Sequence, residues 1–497
     1  MEAEWAIGSF RGAIFCVIRV ASIVLGMIGL AALTGCGRAG GDDAVVPVAL
    51  SAARDVATET KSVASSTSGS SRISSYDDRV GAAMRVVTRV NALRRRGEFE
   101  QFIDAALNAA ADAPESAPLA RLAAEAHLAA GAPDRAEASA LRAGELALAS
   151  DEPAAAVAAL RLWITARLRM GQPLDASRAE ALFAQVEKQD GAPTLRYWVD
   201  ALGDRCPYEH DPASAGRPVD VPPTAAADGT IWADLNAIRA SANGVELPMV
   251  FVDTGTQHTI MTRRAAAMAG LAVDDSATRL VGFGGLDAQP AVLESLALGE
   301  LTLRNVPVLV GNSAALMSAN GQMAIGTELM HHVRFTLDYP NRQVSVAYTD
   351  GPALQPERPD QWAIPLWTFS RACLTRADTT HGLARVLVDT GNRTGTYLST
   401  RWARRHLPTF RRPEASMIFK FRHQGLTLDT MELGSATLLD WPIWDRIPRE
   451  LERIDVVDVL LGRDLLWSYR ITIDLPQRVM WIDGGSTTPI PPTNTIP

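Results

Sequence analysis

The strongest constraint in this sequence is a pair of matching frames set far apart along the chain. One carries VFVDTG, ending at Asp253-Thr254-Gly255, and the other carries VLVDTG, ending at Asp389-Thr390-Gly391. The landmarks that follow repeat at equal spacing. Asp253 to Gly326 covers 73 positions, as does Asp389 to Gly462, and Asp253 to Asp338 and Asp389 to Asp474 each cover 85. Between them, SLALGELTLRNVPVLV and TMELGSATLLDWPIW run nearly in register. A single Asp-Thr-Gly is common by chance, but a frame reproduced at constant offset reads as an internal duplication.

Each frame alternates apolar and polar residues in short runs, the period of half-buried strands. Asn243-Gly244 separates two such runs in the first frame, a strong hairpin signal because both positions accept positive φ. A turn near Asp378–Gly382 plays the same part in the second. Pro-rich breaks at 211–229 and 351–360 set the frames off from their surroundings.

The combination of strand, Asp-Thr-Gly, LxLGxxxLxxxPV, apolar-apolar-Gly and a closing LDYP-like strand resembles the retropepsin-like aspartic proteases, the bacterial aspartyl protease families above all. The resemblance covers about residues 226–484. It implies two mostly-β half-domains forming a bilobal, pepsin-like unit on one chain, with Asp253 and Asp389 as the catalytic pair and a polypeptide as substrate. It also implies no metal and no cofactor. Two carboxyls at hydrogen-bonding distance share one proton, so one ionises readily and the other holds its proton. By the same resemblance, Thr254 and Thr390 lock the loops to one another, and Gly255 and Gly391 admit the close approach. Thr256 is expected to turn its hydroxyl to the outer oxygen of Asp253, with Asn392 at the matching place. Gly282, Phe283, Gly284 and Gly285 are the expected flap tip over substrate; the second frame has IFKFRHQG there, so one flap is expected.

Other chemistry has weaker support. His258 follows Asp253 closely, but no Ser or Cys nucleophile motif accompanies it. His331-His332 reads as a loop or surface pair, there being no further ligands at metal-binding spacing. Trp441 to Trp444 reads as core or interface. A net charge of -8 excludes nucleic acid as the main partner.

From Val80 to Leu202 the chain is rich in Ala, Leu and Arg with helical spacing; Phe99, Ile103 and Leu107 recur every four residues. Turns at Gly97 and Gly131 are 34 residues apart, the period of a tetratricopeptide-like repeat, and a third turn follows at Gly171. Three to four helix pairs in a short solenoid are expected, serving either as a groove for a protein partner or as a packing module for the next domain.

The N-terminus reads as an export leader. An apolar run from Val20 to Leu33 ends in Leu33-Thr34-Gly35-Cys36, which resembles the lipobox of bacterial lipoproteins. That resemblance implies cleavage before Cys36, lipidation of its thiol, a membrane anchor and a location facing the periplasm or the cell exterior. Outside the cytoplasm, Cys206 and Cys373 either pair or remain two separate thiols.

The expected class is thus multi-domain α + β, with 497 residues allowing about three domains at roughly 150 residues each. Its parts are a leader (1–35), a tether (36–79), a helical domain (80–205), a linker (206–229), a first half-domain (230–350), a linker (351–360), a second half-domain (361–484) and a tail (485–497).

Overall fold

The computed structural model describes residues 70–189, 192–211, 217–222, 237–271, 288–312, 320–352, 361–369, 372–379, 382–392 and 469–483. It also describes shorter pieces, among them 397–398, 419–421, 431–433 and 457–462. The leader, Cys36, the flap tip at Gly282–Gly285, the Trp441–Trp444 cluster and the tail lie outside the described residues. A helical N-terminal region precedes a β-rich region.

Among the described residues seven helices come first: α1 (Ser70–Arg95), α2 (Phe99–Asp112), α3 (Ala117–Ala129), α4 (Pro133–Ala149), α5 (Pro153–Met170), α6 (Ala176–Val186) and α7 (Ala192–Leu202). Helix α1 begins at Ser70, inside the stretch expected to be tether. Gly97, Gly131 and Gly171 turn the chain between α1 and α2, α3 and α4, and α5 and α6 at φ of 76°, 73° and 64°. Such left-handed residues end a helix most cheaply as glycine. Proline in the first turn of α3, α4 and α5 starts the next helix where no intrahelical N–H bond is lost. No described helix is long and apolar enough to cross a membrane.

The first frame contributes β1 (Val219–Val221), β2 (Ala237–Ala242), β3 (Val245–Val252), β4 (Ile260–Met261), β5 (Ala288–Leu298), β6 (Leu301–Gly311), β7 (Met323–Ile325), β8 (Val333–Asp338) and β9 (Gln343–Tyr348). Among the described residues two short helices accompany them, α8 (Arg263–Met268) and α9 (Thr327–Met330). The second frame contributes β10 (Gln361–Pro365), β11 (Trp367–Phe369), β12 (Ala372–Thr379), β13 (Gly382–Val388) and β14 (Tyr397–Leu398). It continues with β15 (Phe419–Phe421), β16 (Met431–Leu433), β17 (Val459–Leu461), β18 (Arg470–Asp474) and β19 (Val479–Asp483).

Strands β2 to β7 close into a barrel, whereas β11 to β17 form a seven-stranded sheet. The turn between β2 and β3 has Asn243 at φ 50° and Gly244 at φ 79°, as the Asn-Gly pair demands. A third sheet, ordered β1-β9-β8-β18-β19-β10, takes strands from both frames. At its centre Thr336 faces Thr472 across the β8–β18 pair, hydroxyl to hydroxyl at 2.9 Å. Arg334 Nε donates to Asp474 Oδ2 at 2.8 Å, both side chains being buried.

This sheet crosses two of the expected boundaries. The stretch 206–229 is more than a linker, since Val219–Val221 pairs with β9 and Tyr208 is buried. The two frames also share this sheet, β8 and β9 lying beside β18 and β19. Sheet pairing satisfies edge N–H and C=O groups that a separate half would leave open.

The helical domain is packed on both frames. Helices α3 to α7 share a buried core with the barrel, while α1 to α3 cover Trp367, Phe369, Leu374, Leu387, Val457 and Leu460 of the second frame. Phe99 lies 4.9 Å from Trp367 and 5.4 Å from Phe369, centroid to centroid. Burying each such ring contributes about 1.5–3 kcal/mol, so the helical stripe anticipated at Phe99 and Ile103 is filled by the β region.

Candidate active site

Each Asp-Thr-Gly follows the buried apolar end of a strand. Val250–Val252 of β3 runs parallel to β7, and Val386–Val388 of β13 runs parallel to β17. The ladders carry one step further: Asp253 N donates to Ile325 O and Asp389 N to Leu461 O, both at 3.0 Å. The apolar-apolar-Gly landmarks are therefore the strands alongside the Asp loops, which is why their spacing repeats.

The two loops meet. Thr254 Oγ1 donates to Val388 O at 2.7 Å, and Thr390 Oγ1 donates to Val252 O at 2.7 Å. Thr390 N donates to Thr254 Oγ1 at 3.0 Å, and Thr254 N to Thr390 Oγ1 at 3.1 Å. Each hydroxyl thus gives one hydrogen bond and takes one, so neither buried oxygen is left unsatisfied. A Cβ on Gly255 would sit 2.5 Å from Asp389 Oδ1, and one on Gly391 would press on the Asp253 carboxyl. No residue with a side chain fits at either position.

The Asp253 and Asp389 carboxyls are half-buried and hydrogen-bonded to one another. Burial raises Asp253 above the ordinary carboxylate range, while the Gly255 N–H, donating to Oδ1 at 2.8 Å, the bond with Asp389 and the Thr256 N–H offset part of this. Burial also pushes Asp389 well above that range, reinforced by the Asp253 charge and the shared hydrogen bond and opposed by the Asn392 and Gly391 N–H groups. Burial thus favours a state in which the pair holds a proton, Asp389 being pushed further from the ordinary range than Asp253.

Thr256 differs from expectation: its hydroxyl donates to His258 O at 3.3 Å, and it is its backbone N–H that supports Asp253. Asn392 likewise supports Asp389 through its N–H. Cys206 and Cys373 are not joined. Cys206 is exposed and Cys373 is buried in β12, its thiol pushed up to about 12 by that burial.

His331 and His332 are interior residues rather than a surface pair. His332 Nε2 donates to Leu168 O at 2.7 Å and its ring stacks on Tyr208 at 4.4 Å. Burial lowers His332 to about 4 and His331 well below its ordinary value, so both are neutral at pH 7. No cluster of three metal-ligating side chains occurs among the described residues.

Sequence reasoning missed Glu328. Its buried carboxylate accepts from Gln257 Nε2 at 2.8 Å and from His258 Nδ1 at 2.7 Å. The available signal was an acid two residues after the apolar-apolar-Gly landmark in both frames, Glu328 and Asp464.

Residues 238–329, around the first Asp-Thr-Gly, match a family model described as aspartyl protease. No match was found among the curated proteins. Among solved structures the chain is similar to a retropepsin-like aspartic protease from Rickettsia conorii, at 20% identity over 26% of this chain and 90% of that one, with a TM-score of 0.20.

Proposed function

We propose that this chain is an aspartic endopeptidase, assembled from an internally duplicated frame, with Asp253 and Asp389 as its catalytic pair. The observation that carries this reading is the buried, hydrogen-bonded carboxyl pair where the two cross-bonded Asp-Thr-Gly loops meet. Ionised Asp253 takes a proton from a water held between the carboxyls as the water oxygen attacks the peptide carbon. Asp389 donates its proton to the carbonyl oxygen, giving a gem-diol intermediate. As the C–N bond breaks, nitrogen takes the proton from Asp253 and a diol hydroxyl returns one to Asp389. Both carboxyls end as they began. The threonine cage keeps the loops aligned throughout, which is where positioning lowers the barrier.

Activity requires one carboxyl charged and one neutral, so the rate falls as pH drops below the ionisation of Asp253 and as it rises through that of Asp389. Cleavage of a diverse peptide mixture, with and without pepstatin, tests the reading. Asp253→Asn and Asp389→Asn are each expected to abolish cleavage while the circular dichroism of the full chain is unchanged. Cleavage retained by Asp389→Asn removes the pair as the catalyst. Native protein that binds peptides without cutting them favours a non-catalytic binding scaffold, with the helical domain as its partner surface.

A further inference from the structure

Glu328 is 2% exposed and has no place in the water-activating chemistry, yet it uses both carboxylate oxygens on the loop that follows Asp253. Its backbone joins in: Thr327 N donates to Thr256 O and Glu328 N to Gln257 O, both at 2.9 Å. Residues 256–258 are thus held from main chain and side chain at once. Thr256 in turn gives Asp253 one of its supporting N–H groups.

The other side of the same loop meets the helical domain. Trp198 of α7, buried, lies 5.2 Å from the His258 ring, and Gln257 Nε2 reaches Thr165 Oγ1 of α5 at 3.4 Å. One turn further along α5, Leu168 O takes the His332 hydrogen bond. The next residue turns to the second frame. Arg169 Nη1 donates to Thr368 O at 3.1 Å and to Thr368 Oγ1 at 3.3 Å, and Nη2 to Phe369 O at 3.4 Å. Those carbonyls belong to β11, which pairs with β12, which pairs with β13, the strand that ends at Asp389. Residues 165–169, little more than one helical turn, therefore touch both frames.

Two carboxyls that share a proton tolerate little relative movement, because misplacement near 1 Å costs about 100-fold in rate. The threonine cage fixes the inner limbs of the two loops. The last turn of α5 reaches the outer limb of the first loop directly and the second through β11, β12 and β13. We propose that the last turn of α5 and Glu328 form a brace holding the Asp253 loop in register with the Asp389 loop, with Glu328 as its positioning residue. The helical domain is then a working part of the active site. The inference rests on the endopeptidase reading for its kinetic consequence, and on the contacts alone for its structural one.

The test combines steady-state peptide cleavage with amide hydrogen exchange over residues 253–259, both on the full chain. Glu328→Ala removes both side-chain bonds. It is expected to speed exchange at 256–258 at least tenfold and to lower kcat about 100-fold with KM little changed. Glu328→Gln can still accept from Gln257 and donate to His258, and is expected to restore both readouts to within about threefold of the native chain. If Glu328→Ala does not fold, Trp198→Leu carries the same two readouts from the helical side. Unchanged exchange at 256–258, or an increase spread evenly over the chain, overturns the brace. A native chain that cleaves no peptide sinks the endopeptidase reading instead, and the exchange data still judge the brace.

Discussion

The two frames agree at their centre and part company at their edges. At the centre each Asp takes the same ladder bond and each threonine the same pair of bonds, related by a step of 136 residues. At the edges, the first frame closes into a barrel, while the second lays its described strands in a sheet covered by α1 to α3. The difference is sharpest at one matched pair of positions. In the first frame Gln322 N donates to Met249 O at 2.8 Å and Met249 N to Gln322 Oε1 at 3.1 Å. In the second, Asp458 N donates to Arg385 O at 2.9 Å and Arg385 N to Asp458 Oδ2 at 3.0 Å. The backbone pattern is the same, but a neutral pair has become an ionic one, with Arg385 Nη2 2.6 Å from Asp458 Oδ1. Shared chemistry at the axis demands symmetry; the periphery answers to its own neighbours. Arg385 lies under the Gly97 turn, where its stem packs on the helical domain.

The largest effect is expected from breaking that ionic pair on one side only. Asp458→Ala leaves Arg385, 8% exposed, without its carboxylate, a change that costs about 3–5 kcal/mol. The double change Arg385→Met with Asp458→Gln copies the first frame and is expected to come within about 1 kcal/mol of the native chain, since a well-packed neutral pair often equals a buried ionic one. Urea unfolding of the three proteins checks it. A double variant as unstable as the single one would mean that the second frame needs the charge itself.

A smaller effect concerns the two aspartates. Both carboxyls ionise at higher pH in the folded chain than in the unfolded one, and Asp389 more so. The folded state therefore bears an ionisation cost that is absent in acid and grows as pH rises from the ordinary carboxylate range toward the raised values. Either change, Asp253→Asn or Asp389→Asn, is expected to raise Tm at pH 7, and both gains should vanish at low pH. Gains absent at pH 7, or largest in acid, would contradict the raised ionisation of the pair.

What could be read from the residues in advance was local or repeated. Asn243-Gly244 and Gly97, Gly131 and Gly171 announce turns because their backbone angles exclude most other residues. The meeting of Thr254 with Thr390 was visible because the frame occurs twice and the family resemblance says what the copies do. Features that depend on which surfaces come together were hidden. His331-His332 looks like a surface pair until α5 is laid over it, and Val219–Val221 looks like linker until β9 offers an edge. Cys206 and Cys373 have nothing in their spacing to reveal that one is exposed and the other sealed in a strand. Thr256 carries a hydroxyl where the family pattern wants one, yet His258 O takes its hydrogen bond.

The smallest effect lies on the axis itself, where the frames should be interchangeable. Thr336 and Thr472 face each other on the two central strands, and their hydroxyls share one hydrogen bond at 2.9 Å. Thr336→Val removes one partner and leaves the other oxygen to find a substitute. The usual net cost of losing such a bond is about 0.5–1.5 kcal/mol, and both residues are only half-buried, so water can restore part of it. The lower end of that range is therefore expected. Thr472→Val should cost the same to within about 0.3 kcal/mol, and the double variant should be close to additive-neutral, since no orphaned hydroxyl remains. Denaturant midpoints of the three variants measure this. Unequal single costs would show that the asymmetry of the edges, barrel on one side and helix-covered sheet on the other, reaches the axis, and that the agreement at the centre extends no further than the aspartate loops.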